Sequence, residues 1–207
     1  MNNYLNDLNR KDMSQAVSEI LAQAKEFKTP IIQADSLNLM IKTIKTAEVK
    51  SVLEIGSAIG FSAIMMALET NCFVTTIERD EKSYEKAKEN IKKTKLESRI
   101  NLILADALEY DMTEDYHCDL LFIDAAKGAY KAFFEKYIPY LNPRGIVICD
   151  NLLFHGLVAD ESLCKTKNQR KIADKIRNFN KYLMERQDFT TNIYDIGDGL
   201  SISVKKR

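Results

Sequence analysis

The chain lacks four patterns, and each absence removes a class of function. Its four cysteines, Cys72, Cys118, Cys149 and Cys164, form no CxxC pair, so neither a zinc site nor a disulfide framework is expected, and a reducing cytoplasm fits. No uninterrupted apolar stretch is long enough to span a bilayer, and the polar start MNNYLNDLNRKD does not read as a signal peptide. Thirty basic residues face 30 acidic ones, which argues against a diffusely basic nucleic-acid coat but not against a local patch. The two histidines, His117 and His155, stand in no zinc spacing and in no Ser–His–Asp arrangement.

What remains is an ordinary globular composition, 45% hydrophobic and 29% charged over 207 residues, which suits one domain spanning 1–207. A helical preface occupies 1–47. Val17, Ile20, Leu21, Ala24 and Phe27 follow helical spacing, as do Leu37, Met40, Ile41 and Ile44, with Thr29–Pro30 between the two helices. From 48 to 207 strands and helices alternate. Strand-like runs lie at 51–55, 73–78, 100–104, 119–123 and 145–149. Helices are expected at 60–70, 81–95, briefly after 106, and at 130–141. This alternation predicts an α/β, doubly wound, mostly parallel sheet whose ligands bind at the carboxyl ends of the strands. A helix over 170–186 leads to two further strand-like runs, 190–196 and 200–205. Gly197, Asp198 and Gly199 alone separate them, which predicts an antiparallel hairpin at the sheet edge. The stretch 156–169 is the candidate for a mobile loop over the site.

Three strand ends carry groups that suit an adenosine-type ligand. VLEIGSAIGFSA (52–63) places Glu54, Gly56 and Gly60 at a strand-to-helix turn, where glycines permit close approach and the helix start offers unpaired N–H groups. The spacing is neither G-x-G-x-x-G nor a P-loop, which disfavours a nicotinamide dehydrogenase. Glu78 ends the next strand, where a carboxylate can accept both ribose hydroxyls, and Asp106–Ala107 ends the third. Either acid singly reads equally as a helix cap. Two more apolar runs end in FIDAAK and ICDN, delivering Asp124, Lys127, Asp150 and Asn151 to one sheet edge. Oxygen ligands there suit a hard cation such as Mg²⁺, and a lysine beside them can serve as a base. The plainer alternative makes the aspartates turn residues and Lys127 a cap.

Taken in order, LEIGSAIGFSA, IERD, ADA, FIDAAKGAY, ICDNLLFHG and IGDGLSIS resemble the Mg²⁺-dependent O-methyltransferases that use S-adenosylmethionine, a family that includes catechol, caffeoyl-CoA and bacterial tRNA 5-hydroxyuridine enzymes. The resemblance runs from about Pro30 to the C-terminus. It implies a Rossmann-like class I methyltransferase with a seven-stranded sheet. It places the methionine end of the cofactor near Glu54, Gly56 and Ser62, with Ile32 as a backbone contact. Glu78 matches the ribose ligand and Asp106–Ala107 the adenine contact. Asp124, Asp150 and Asn151 match the metal ligands, Asp124 also lying near the cofactor, and Lys127 matches the catalytic lysine. Tyr130 falls where the family has a substrate-side aromatic, although ordinary helix packing would also place a tyrosine there. The family commonly forms homodimers through its N-terminal helices.

The acceptor is a separate question, because catechol-like, CoA-linked and hydroxyuridine substrates all present adjacent oxygens. Residues 165–186 hold eight Lys and Arg against only Asp174 and Glu185. Ile172, Ile176, Phe179 and Leu183 share one face of the expected helix, which leaves Arg170, Lys171, Lys175 and Arg177 for phosphate contacts or simply for a solvated face. The pattern around DNLLFHGLVAD and FNKYL looks more like the tRNA enzyme. Plant CoA enzymes have a tryptophan near the DN motif, and this chain has none. The expectation is therefore methylation of tRNA wobble 5-hydroxyuridine. A small-molecule O-methyltransferase is the runner-up, and a non-catalytic RNA-binding module is the reading from another class.

Overall fold

The computed structural model describes residues 14–207, so the polar segment 1–13 lies outside the described residues. The first helix, α1 (Gln15–Glu26), starts where the Ser14 side chain accepts from the backbone N–H of Val17. Val17, Ile20 and Ala24 are buried along its inner face. Phe27 was expected on that face but caps the helix and is 67% exposed. The second helix, α2 (Ala34–Thr46), buries Leu37, Met40, Ile41 and Ile44 as their spacing predicts.

The alternating core follows as β1 (Ser51–Ile55), α3 (Phe61–Glu69), β2 (Phe73–Glu78), α4 (Glu81–Lys93), β3 (Ile100–Leu104), β4 (Cys118–Ile123), α5 (Tyr130–Tyr137) and β5 (Leu141–Cys149). The chain closes with α6 (Lys167–Glu185), β6 (Phe189–Tyr194) and β7 (Leu200–Lys205). Most boundaries shift by a few residues from the sequence reading, and three of the differences have a local cause. The short helix after Asp106 is a turn, because the Asp106 carboxylate accepts from Leu108 N–H and its carbonyl from the N–H groups of Glu109 and Tyr110. Helix α6 begins three residues early, since Thr166 and Gln169 form a capping box. Strand β5 extends back to Leu141, across a register shift between Cys118 and Leu120 on its partner.

The seven strands run in the order β3-β2-β1-β4-β5-β7-β6. The four pairings that join β3, β2, β1, β4 and β5 are parallel, and β7 is antiparallel to both β5 and β6. Strand alternation divides the core in two. Val52, Leu120, Phe122, Ile146 and Ile148 face α1 to α4, while Leu53, Leu121, Ile123, Val147 and Cys149 face α5 and α6. Chain order reverses between β1 and β4, so the turns after these two strands splay to opposite faces and open a crevice. No helix among the described residues is long and apolar enough to cross a membrane.

Candidate active site

The crevice is built by extending the ladder one residue past each strand. Gly56 N–H donates to the Ile77 carbonyl at 2.9 Å, Asp124 N–H to Ile55 at 3.0 Å, and Asp150 N–H to Ile123 at 3.2 Å. The loop residues at the tips of β1, β4 and β5 are thereby fixed side by side. Gly56 (φ 93°) has no alternative: a Cβ there would lie 2.3 Å from the Asp124 carbonyl oxygen.

Two adjoining clefts result, sharing Gly56, Ala58, Asp124, Ala125 and Ala126. The smaller, about 140 Å³, is bordered by Glu78, Asp106, Ala107 and Phe133. Glu78 is held by three backbone donors, Ala58 N–H at 2.8 Å and the N–H groups of Arg79 and Asp80 at 2.9 Å. The larger, about 410 Å³, is bordered by Ile32, Ser62, Asp124, Lys127, Asn151 and His155. The Ser57 hydroxyl on its wall is buried and has no hydrogen-bond partner among the described residues.

Glu54 lies beneath this floor rather than on it. It is fully buried, and its carboxyl accepts from Thr76 Oγ1 at 2.6 Å and from the Ser62 hydroxyl. Burial pushes it up to about 7 against those two donors, with the charges of Asp124 and Glu78 adding to the rise. Its hydrogen-bonded link to the cleft wall is Ser62.

Asp124 and Asp150 form the acidic centre. Burial raises Asp124 to about 7, helped by the charge of Asp150 and opposed by Lys127 and Asn151. Burial raises Asp150 to about 6, with Asp198 adding to it. Asn151 donates its amide N–H to Asp124 Oδ1 at 2.8 Å, which leaves its own carbonyl oxygen as a ligand atom. It holds φ 66°, a left-handed conformation that asparagine tolerates better than most residues. Among the described residues no three His, Cys, Asp or Glu side chains form a metal-ready group. The donor set here is two carboxylates and one amide. One buried and one half-buried carboxylate, Asp150 and Asp124, held together against their mutual repulsion fit a hard divalent cation, with other oxygens completing its shell.

The structure reassigns several expected contacts. Tyr130 is 2% exposed, stacks on Phe179 at 5.4 Å and donates its hydroxyl to the Asp150 carbonyl at 2.8 Å. It packs behind the site, as its ordinary reading predicts, and offers no open face to a substrate. Arg177 is turned inward, donating to the Val158 carbonyl at 3.2 Å and pairing with Asp174. Arg170 and Lys171 are exposed, Arg170 lying 3.8 Å from Glu161. Lys175 reaches the Lys127 loop, its Nζ 3.4 Å from where a Gly128 Cβ would stand. The 156–169 loop is anchored through buried Leu157, Val158 and Cys164.

Two residues at the centre escaped the sequence reading. Ser36 on α2 is fully buried, its hydroxyl 3.4 Å from Asp150 Oδ1. Asp198, in the final hairpin, lies 3.2 Å from Lys127 Nζ. The only sequence signal for Asp198 was the glycine on either side of it.

A family model described as O-methyltransferase matches residues 2–206. A caffeoyl-CoA O-methyltransferase of Populus kitakamiensis is 28% identical over 202 residues, covering 93% of this chain and 84% of that protein. The crystal structure of a "putative caffeoyl-CoA O-methyltransferase" from Staphylococcus aureus superposes with a TM-score of 0.93 at 38% identity, covering 98% of each chain. An O-methyltransferase from Bacillus cereus in complex with SAH shares the fold at 22% identity, with a TM-score of 0.82 and coverage of 99% and 96%.

Proposed function

Since the chain belongs to the O-methyltransferase family and is an S-adenosylmethionine-dependent enzyme of the caffeoyl-CoA type, we propose that it methylates one of two adjacent oxygens with the help of a divalent cation, and that its acceptor is 5-hydroxyuridine at the tRNA wobble position. The observation that carries the cation-assisted reading is the meeting of Asp124, Asn151 and Lys127 on the wall of the larger cleft, with buried Asp150 close enough for its charge to act on Asp124. The cofactor supplies an electrophilic methyl. The smaller cleft suits its nucleoside, with Glu78 aimed at the ribose hydroxyls and Asp106–Ala107 beside the base. The larger suits its methionine end, along Ile32, Gly56 and Ser62, and the acceptor beyond.

The chain's own residues then perform three tasks. Asp124, Asp150 and Asn151 offer the oxygens for Mg²⁺, which would supply positive charge to a pair of acceptor oxygens. Lys127, on the wall of the cleft, takes or steers the acceptor proton. The walls hold the acceptor oxygen in line with the methyl, so the protein's main contribution is positioning. Hydroxyuridine fits because its 5-hydroxyl neighbours the 4-carbonyl. Support for RNA comes from α6, whose Lys175 abuts the Lys127–Gly128 turn and whose Lys171 is exposed one turn earlier, a cationic border suited to phosphates. The relatives' names favour the second reading, a small vicinal-diol or CoA-linked acceptor.

Incubation with labelled S-adenosylmethionine and Mg²⁺, against hydroxyuridine-bearing tRNA and a panel of catechols, separates the two. Label on tRNA is expected. Label on catechols with none on tRNA would overturn the RNA acceptor and leave the methyl-transfer chemistry standing.

A further inference from the structure

We infer that Asp198 is a positioning residue for the acceptor half of the site, fixing the Lys127 ammonium and tying the 151–156 loop to the final hairpin. The inference rests on the role of Lys127 given above and adds a residue that lies far from both strand-end motifs in sequence.

Asp198 sits between Gly197 (φ 62°) and Gly199 (φ 87°). Both glycines are demanded by space: a Cβ at 197 would lie 2.2 Å from Ser36 Oγ, and one at 199 would lie 2.6 Å from Leu153 Cγ. The turn is thus driven between α2 and the loop after β5, and the residue at its apex is only 5% exposed. Its backbone carbonyl accepts from Leu153 N–H at 2.8 Å, and the Gly199 carbonyl accepts from Leu152 N–H at 2.9 Å. These backbone bonds dock the hairpin at Leu152 and Leu153 and leave the carboxylate for the far end of the same loop.

The carboxylate does something else. Oδ1 accepts from His155 N–H at 2.5 Å, and Oδ2 faces Lys127 Nζ at 3.2 Å. Lys127 Nζ also lies 4.9 Å from the centre of the Phe154 ring, a cation–π distance. Phe154 and His155 hold the left-handed conformation, with φ of 47° and 56°. Non-glycine residues keep such backbone angles only where surrounding contacts enforce them. A buried carboxylate is costly unless paired, and the partner here is the lysine that borders the cleft. A free lysine in a turn would sample many rotamers. Paired with Asp198 and set over Phe154, it holds one place.

Asp198→Asn tests this, because the amide keeps the shape and an acceptor for His155 N–H but loses the charge. Two readouts apply: acylation of Lys127 by acetic anhydride, measured by mass spectrometry against exposed Lys131, and kcat with the acceptor that the substrate panel establishes. In Asp198→Asn, Lys127 labelling should rise several-fold and kcat should fall about 10- to 100-fold. Affinity for S-adenosylhomocysteine and the Tm should stay near wild type. Added to Lys127→Ala, with enzyme in excess to read residual turnover, Asp198→Asn should cost nothing further, as expected for residues acting as one unit. Asp198→Glu should recover part of the turnover. Wild-type labelling, wild-type kcat, or an equal loss in both backgrounds overturns the inference. Full turnover in Lys127→Ala would instead remove the role of Lys127, while the labelling still reads the Lys127–Asp198 contact on its own.

Discussion

Glu54 shows how far one residue's surroundings can redirect it. The motif makes it look like a ligand contact, yet the fold buries it under Ser62 and Thr76. Its carboxyl rises from the ordinary value of 4.5 to about 7, chiefly through burial. Between those values the folded protein keeps a proton that the unfolded chain releases, so stability falls as pH rises through the window. Asp124 and Glu78, the charged groups facing it, deepen the effect. Glu54→Gln should therefore flatten part of the decline in Tm between pH 5 and pH 8. Thermal unfolding at the two pH values checks this, and an unchanged difference would count against a neutral Glu54 in the fold. The acidic centre was legible in sequence, because Asp124, Asp150 and Asn151 each follow an apolar strand run. Ser36 and Asp198 were not, since their meeting with that centre depends on how α2 and the hairpin pack.

At the scale of elements, α6 carries two unlike faces. Ala173, Ile176, Phe179 and Leu183 are buried against the sheet, close to the spacing read from sequence. The charged face is more divided than its composition implies, with Arg177 turned inward and Lys175 directed to the lysine loop. The double variant Lys171→Glu with Lys175→Glu should weaken tRNA binding and lower the slope of log K against log salt by roughly one per lost phosphate contact. Binding titrations from low to moderate salt measure it, and an unaltered slope would remove α6 from the RNA interface. Both departures here are local: the Thr166–Gln169 capping box starts α6 three residues before its expected place, and Asp106 satisfies backbone donors that a helix would have used.

For the whole molecule, the sheet joins the two apolar clusters, since successive residues of β1, β4 and β5 feed opposite faces. Thermal melting should give one cooperative transition, raised by S-adenosylhomocysteine by about 2.7 kcal/mol at 100 times its Kd. Adding EDTA should abolish methyl transfer while leaving that shift largely intact, because Glu78, Asp106 and Ala107 border the smaller cleft alone, and of the acidic centre only Asp124 reaches it. Calorimetry with and without chelator would expose a shared dependence. Sequence by itself determined the alternation of strands and helices, the hairpin and the strand-end acids, because apolar periodicity and glycine punctuation act over a few residues. Tertiary structure alone decided that Glu54 is hidden and its carboxyl raised, that Tyr130 packs behind the site, and that Asp198 meets Lys127 across 71 residues of chain. Burial and long-range pairing depend on what the rest of the fold brings alongside, and no local pattern encodes that.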